Sequence, residues 1–136
     1  MTDLNCDAIQ ARLQACTSKE ATFKELVSLS KQLKRLTDAD KIEENKVKGC
    51  ESAVWLVEHQ NNGLCTFQAD SDAKLMRGVL MVILSLVNGH SKAELQQRDL
   101  IAELSEFNLS SYLTSSRTNG VLGILKQIQA NDPSNL

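Results

Sequence analysis

The sequence predicts an α+β fold in which a short antiparallel β-sheet is covered by α-helices. Three observations lead there. Two runs able to form strands, 54–60 and 64–69, flank Asn61-Asn62-Gly63, whose residues tolerate the backbone angles of a tight turn. A run apolar on most sides follows at once, over 75–87, and such a helix belongs at the centre of a fold. Amphipathic helical spacing occupies most of the remaining chain, so helices and strands segregate rather than alternate.

Residues 5–15 carry Ile9 and Leu13 on one face, a weak pattern that predicts a short peripheral helix. From 21 to 36, Phe23, Leu26, Val27, Leu29, Leu33 and Leu36 recur at helical spacing. Ser18 is placed to cap that helix, although Ala21 stands where a reciprocal capping box would have Glu. Residues 37–48 are polar and mixed in charge, which predicts a surface connection with one helical turn around 39–44. In the hairpin, alternation separates Val54, Leu56 and Glu58 from Trp55, Val57 and His59. Collecting the large apolar groups on one side predicts that Trp55, Val57, Cys65 and Phe67 face the core. A hairpin alone is marginal in water and needs a helix against it.

Asp70 and Asp72 stand where either carboxylate would cap that helix, and Gly89 ends it near Asn88. Ser91 with Glu94 three residues on is a capping-box pattern. Leu95, Leu100, Ile101, Leu104 and Phe107 continue an apolar face through one or two short helices. A Ser/Thr-rich loop over 108–116 leads to a last helix over 117–130, with Val121, Leu122, Leu125 and Ile128 inward, and to a frayed tail at 131–135.

A chain of 136 residues fits one domain spanning 1–136 and buries about two-thirds of its unfolded surface. Its 15 basic and 17 acidic residues are interspersed, leaving no basic stripe for nucleic acid. Three Phe, one Tyr and one Trp offer no base-stacking surface. The most apolar window, 78–87, is ten residues long, half of the roughly 20 needed to span a bilayer, so no membrane partner is expected. Met1-Thr2-Asp3-Leu4-Asn5 is acidic and lacks an apolar stretch, which predicts a reducing, cytoplasmic setting with unbridged thiols at Cys6, Cys16, Cys50 and Cys65.

Among these thiols Cys50 stands apart. It lies in Val47-Lys48-Gly49-Cys50-Glu51-Ser52-Ala53-Val54-Trp55, a turn-like entry into an apolar strand, with no other cysteine within thirteen residues. Metal sites and redox pairs bring thiols in company; a solitary one at a loop–strand junction suits a nucleophile or a carrier of something small. Gly49 allows a sharp turn beside it, and Lys46 and Lys48 are close enough in sequence to favour a thiolate, with Glu51 opposing them. The alternative is a buried structural cysteine, the expectation for Cys65 on the apolar side of its strand. His59 and His90 occupy unrelated positions and no Cys-x-x-Cys occurs, so no metal site is expected. Arg117 opens the last helix, where a cation is poorly placed against the macrodipole. Two explanations stand: an ion pair with Asp70 or Asp72, or an extension toward the Cys50 loop.

Taken together these segments resemble the SufE/CsdE sulfur-acceptor family. Gly49-Cys50-Glu51-Ser52-Ala53-Val54-Trp55-Leu56 is similar to its Gly-Cys-x-Ser/Asn-x-Val-Trp signature. Asp70-Ser71-Asp72 with the Arg77-Gly78 helix, and Leu113-Thr114-Ser115-Ser116-Arg117-Thr118-Asn119-Gly120, resemble two further family stretches in family order, so the likeness covers about residues 20–130. Ala69 replaces the usual Gly, Ser115 a common Pro, and Lys34-Arg35 a Leu-Pro pair; the thiol, tryptophan, acidic turn and arginine remain. The resemblance implies a SufE/IscU-like fold and a sulfur carrier and desulfurase activator rather than a stand-alone enzyme. Cys50 would take sulfane sulfur as a persulfide from a cysteine desulfurase of SufS or CsdA type and pass it to Fe-S cluster assembly or another acceptor. Arg117 would shield it or meet an anionic partner, and Gly49, Glu51, Ser52, Trp55, Asp70 and Asp72 would be loop or partner-contact residues. No cofactor is expected on this chain, pyridoxal phosphate belonging to the desulfurase. The alternatives are an iron-sulfur scaffold, a desulfurase-binding regulator that carries no sulfur, and a cysteine hydrolase with a histidine beside Cys50.

Overall fold

A computed structural model describes residues 5–50, 52–110, 112–113 and 115–130. Two strands, β1 (Val54–Asn61) and β2 (Leu64–Ser71), pair antiparallel. Around them run α1 (Cys6–Gln14), α2 (Lys19–Ser30), α3 (Lys74–Val87), α4 (Lys92–Gln97), α5 (Leu100–Ser105) and α6 (Ser115–Gln129). The α+β class is the one the sequence predicts. Glu51 and the tail at 131–135 lie outside the described residues.

The hairpin turn is Asn62-Gly63, with φ of 56° and 82°, the two left-handed positions of a type I′ connection. This turn is one residue shorter than Asn61-Asn62-Gly63, and that difference corrects the expected inner face. It pairs Asn61 with Leu64, so Leu56 lies opposite Ala69 and Glu58 opposite Phe67. A shift of one residue exchanges a strand's faces. Val54 and Leu56 therefore join Cys65, Phe67 and Ala69 in the core, while Trp55 and Val57 are half-buried on the outer side. The outer side is not bare, since the Lys41 ammonium lies 5.6 Å above the Trp55 ring.

Helix α3 is the centre. Met76, Val79, Leu80, Val82, Ile83, Leu86 and Val87 are buried, and Gly78 lets α2 approach so closely that a Cβ there would lie 2.3 Å from the Leu26 carbonyl oxygen. Neither Asp70 nor Asp72 caps it, contrary to expectation. The N-cap is Ala73, without a side-chain bond, and Ser71 organises the entry instead: its Oγ accepts from the Ala73 amide at 3.1 Å and donates to the Ala53 carbonyl at 2.7 Å.

Helix α1 is not peripheral either. Ile9 and Leu13 are fully buried, Arg12 pairs with Glu25 at 2.7 Å, and the Asn108 amide donates to the carbonyls of Leu13 and Cys16 at 3.0 and 3.1 Å. Ser18 caps α2 as its position predicts, accepting from the Ala21 amide. The helix stops at Ser30 rather than 36: the Lys31, Gln32 and Leu33 amides donate to the carbonyls three residues back, and the Leu36 amide donates to Asp70 at 3.2 Å, outside any helical ladder. The turn expected around 39–44 is a short 3₁₀ stretch, Glu43–Asn45. The capping box at Ser91 and Glu94 is present. The far end of α6 is tied down by Gln129, which donates to the carbonyls of Leu95 and Arg98 at 2.8 and 2.9 Å.

Candidate functional site

The Cys50 loop is held at both ends. On one side Val47 donates its amide to the Val54 carbonyl at 2.8 Å, and Lys46 bridges to Trp55 across the edge of β1. On the other, the Ala53 carbonyl accepts from Ser71 Oγ at 2.7 Å and from the Asp72 amide at 3.4 Å. Between these anchors the chain turns at Gly49 with φ of 90°, a conformation that favours glycine. The turn directs Cys50 against the first turns of α6.

There Cys50 is half-buried, and its Sγ–H donates to the Gly120 carbonyl at 3.6 Å. Cys50, Ser52, Met76, Tyr112, Arg117 and Gly120 enclose a cavity of about 90 Å³. Burial pushes the Cys50 thiol above its ordinary pKa. The expectation that Lys46 and Lys48 would favour a thiolate is not met, because desolvation is what governs this side chain. At rest, then, Cys50 is a protonated thiol facing a small cavity.

Arg117 settles between its two explanations. It does not pair with Asp70 or Asp72. Its guanidinium stacks 4.7 Å from the Tyr112 ring centroid and donates to the Tyr112 carbonyl at 3.2 Å, which brings it to the wall of the Cys50 cavity. Tyr112 is 3% exposed and meets the Phe23 ring edge-on at 6.1 Å. Sequence reasoning passed over Tyr112 and Met76, placing the one in a polar loop and the other in the general core. The available signal for Tyr112 was an aromatic group within a Ser/Thr-rich segment, five residues before an arginine with no helical reason to be there.

The remaining candidates divide. Ser52 reaches the cavity, and Asp72 is exposed on the stretch between β2 and α3. Trp55 lies on the outer face of the sheet, away from the residues that line the cavity. Asp70 is corrected as a contact residue because it is fully buried. Its carboxylate accepts from Arg35 Nε at 2.7 and 2.9 Å, from the Ser71 amide at 2.8 Å and from the Leu36 amide at 3.2 Å, with Lys41 at 3.2 Å. Burial alone would raise its pKa; Arg35, the Ser71 amide, Lys41 and the Leu36 amide outweigh that and hold it below the usual carboxylate range. Asp70 thus fastens the segment after α2 over the outer face of the hairpin.

Among the described residues no three His, Cys, Asp or Glu side chains converge as a metal site would require. None of the four cysteines is joined in a disulfide, and neither histidine lines the Cys50 cavity. Among the described residues no helix is long and apolar enough to cross a membrane.

The geometry has counterparts. The chain is 32% identical over 130 residues to the sulfur acceptor protein CsdE of Escherichia coli strain K12, covering 95% of this chain and 88% of that protein. It is 33% identical over 114 residues to an uncharacterised SufE-like protein of Rhizobium etli, covering 81% and 77% of the two. A solution structure of a hypothetical protein from Thermus thermophilus superposes with a TM-score of 0.71 at 13% identity, over 95% of this chain and 93% of that one, a likeness of fold. Residues 7–132 match the family model described as "SufE: Fe-S metabolism associated domain", and the chain belongs to that family.

Proposed function

We propose that this protein is a sulfur acceptor in which Cys50 takes sulfane sulfur from a cysteine desulfurase and holds it as a persulfide. The observation that carries this reading is a single thiol on a loop anchored near its ends, facing a cavity of about 90 Å³. That volume exceeds the ~30 Å³ share of one water and leaves room for one further sulfur atom. The likeness to CsdE, a protein named as a sulfur acceptor, supports it.

Transfer is thiol–disulfide-type exchange. The Cys50 thiol loses its proton to solvent or to a base on the partner, and its thiolate attacks the outer sulfur of the desulfurase persulfide. A new S–S bond forms at Cys50 while the old one breaks. The desulfurase cysteine leaves as a thiolate and collects a proton. An acceptor thiolate then repeats the attack on the Cys50 persulfide, for Fe-S cluster assembly or another use, in the cytoplasm. No net oxidant or reductant is consumed, and desulfurase turnover rises because its nucleophile is freed. Arg117, on the cavity wall, offers a cation to the anionic persulfide. The pyridoxal phosphate of the pair belongs to the desulfurase.

A protonated, half-buried thiol is a poor nucleophile, so docking must draw Cys50 outward and ionise it. Alanine formation from cysteine by a SufS- or CsdA-type desulfurase tests the reading. Added protein is expected to raise turnover and Cys50→Ser to abolish the increase. Full stimulation by Cys50→Ser would contradict it and favour a regulator that carries no sulfur.

A further inference from the structure

Helix α6 carries two glycines one turn apart, Gly120 and Gly123, on the face that meets the Cys50 loop. Each glycine within a helix is disfavoured by about 1 kcal/mol relative to alanine, so two within one turn need a local reason. The contacts supply it. A Cβ at Gly120 would lie 3.1 Å from Cys50 Sγ, 3.2 Å from its Cα and 3.4 Å from its Cβ. A Cβ at Gly123 would lie 3.2 Å from the Lys48 carbonyl oxygen. Loop backbone and thiol therefore rest on bare helix backbone at two successive points, and the Gly120 carbonyl is left open to accept from Sγ at 3.6 Å.

We propose that Gly120 and Gly123 are positioning residues that form the seat of the Cys50 loop and set how much of the time its thiol is withdrawn. The inference rests on the sulfur-acceptor reading for its significance, though not for its geometry. The two sides of the contact differ in stiffness. The far end of α6 is pinned through Gln129, and Val121, Ile124, Leu125 and Ile128 along the helix are buried in the core. Among the described residues the loop is fastened near Val47 and Ala53, outside the turn that carries the thiol. Added bulk at the seat moves the softer partner, so a methyl group at either glycine lifts the loop rather than displacing the helix. The seat thereby fixes a compromise between shelter for the persulfide and readiness to transfer it.

The test is the alkylation rate of Cys50 in the full-length chain, located by peptide mass because Cys6 and Cys16 are also partly accessible. It is followed across pH for the parent, Gly120→Ala, Gly123→Ala and the helix-propensity control Asn119→Ala, whose site is exposed. Overpacking by one methyl group is expected to shift the loop equilibrium at least about five-fold, so both glycine variants label Cys50 faster by that factor at neutral pH. Their labelling midpoint moves down toward an ordinary thiol as burial is relieved, and Asn119→Ala behaves as the parent. Unchanged or slower labelling in the glycine variants, or equal acceleration in Asn119→Ala, overturns the proposal. If Gly120→Ala failed to fold, Gly123→Ala would decide alone, since its methyl group meets the Lys48 carbonyl and not the cysteine. Alkylation needs neither desulfurase nor sulfur, so the seat and the sulfur-acceptor reading stand or fall separately.

Discussion

Cys50 and Asp70 show how burial produces opposite outcomes at two ionisable side chains. Cys50 has a weak acceptor in the Gly120 carbonyl, so desolvation prevails and its pKa rises. With the folded pKa above the unfolded value, this thiol's stabilising contribution is complete below about pH 8.5 and is lost as pH climbs through the folded value. The alkaline decline in melting temperature is therefore expected to be shallower in Cys50→Ala than in the parent, measured by thermal denaturation across pH. Asp70 is more deeply buried yet stays ionised, because two amides and two cations compensate it. Its depressed pKa means stability that is complete above about pH 3.9 and is lost as pH falls through the folded value. Asp70→Asn should cost about 2–3 kcal/mol at pH 7 in denaturant unfolding, less than a wholly buried pair because Arg35 and Lys41 reach solvent, and should flatten the acid limb. An unaltered acid limb would show that Asp70 is not the group responsible. Cys50 was legible in the chain as a candidate because its isolation from other cysteines is local. The role of Asp70 was not, since its partners Arg35 and Lys41 are about thirty residues away and adjacency favoured a capping role.

At the scale of elements, the hairpin and the start of α6 teach different lessons. Alternation located both strands, but which side faces inward depended on a turn one residue shorter than the tolerant stretch, and nothing local distinguishes those lengths. The Asn62-Gly63 pairing, with both residues left-handed, was decided by the strands' right-handed twist. At α6 the misfit of Arg117 with the helix dipole was visible beforehand, whereas its partner was not. The aromatic face and carbonyl of Tyr112 hold it, a combination worth about 1–2 kcal/mol. Arg117→Ala is expected to lower the melting temperature by roughly 3–8 °C. Arg117→Lys should recover part of that loss, because an ammonium keeps the charge but not the planar stacking. Equal melting temperatures for Arg117→Ala and the parent would show the stacking to be idle.

For the whole molecule, α3 is the element on which the others assemble. Its apolar circumference was plain in the sequence, and so was its central position. The closeness of α2 was not, because a helical Gly78 reads as a weak point until its neighbour is known. Gly78→Ala places a methyl group against the Leu26 backbone, which has no flexible end to yield, so α2 and α3 must part. A loss of about 2–3 kcal/mol, or roughly 6–12 °C in melting temperature, is expected. An unshifted transition would mean that the two helices separate at little cost. The core draws on α1, α2, α3 and the hairpin together with α4, α5 and α6, and the half-buried thiol packs at its edge against α6.

Sulfur capture is tested most directly by the intact mass of the protein after incubation with a cysteine desulfurase and cysteine. A gain of one sulfur atom that reductant reverses, mapped to Cys50 and absent in Cys50→Ser, is the expected result. An unchanged mass under conditions where the desulfurase itself carries a persulfide, or the same gain in Cys50→Ser, would contradict it.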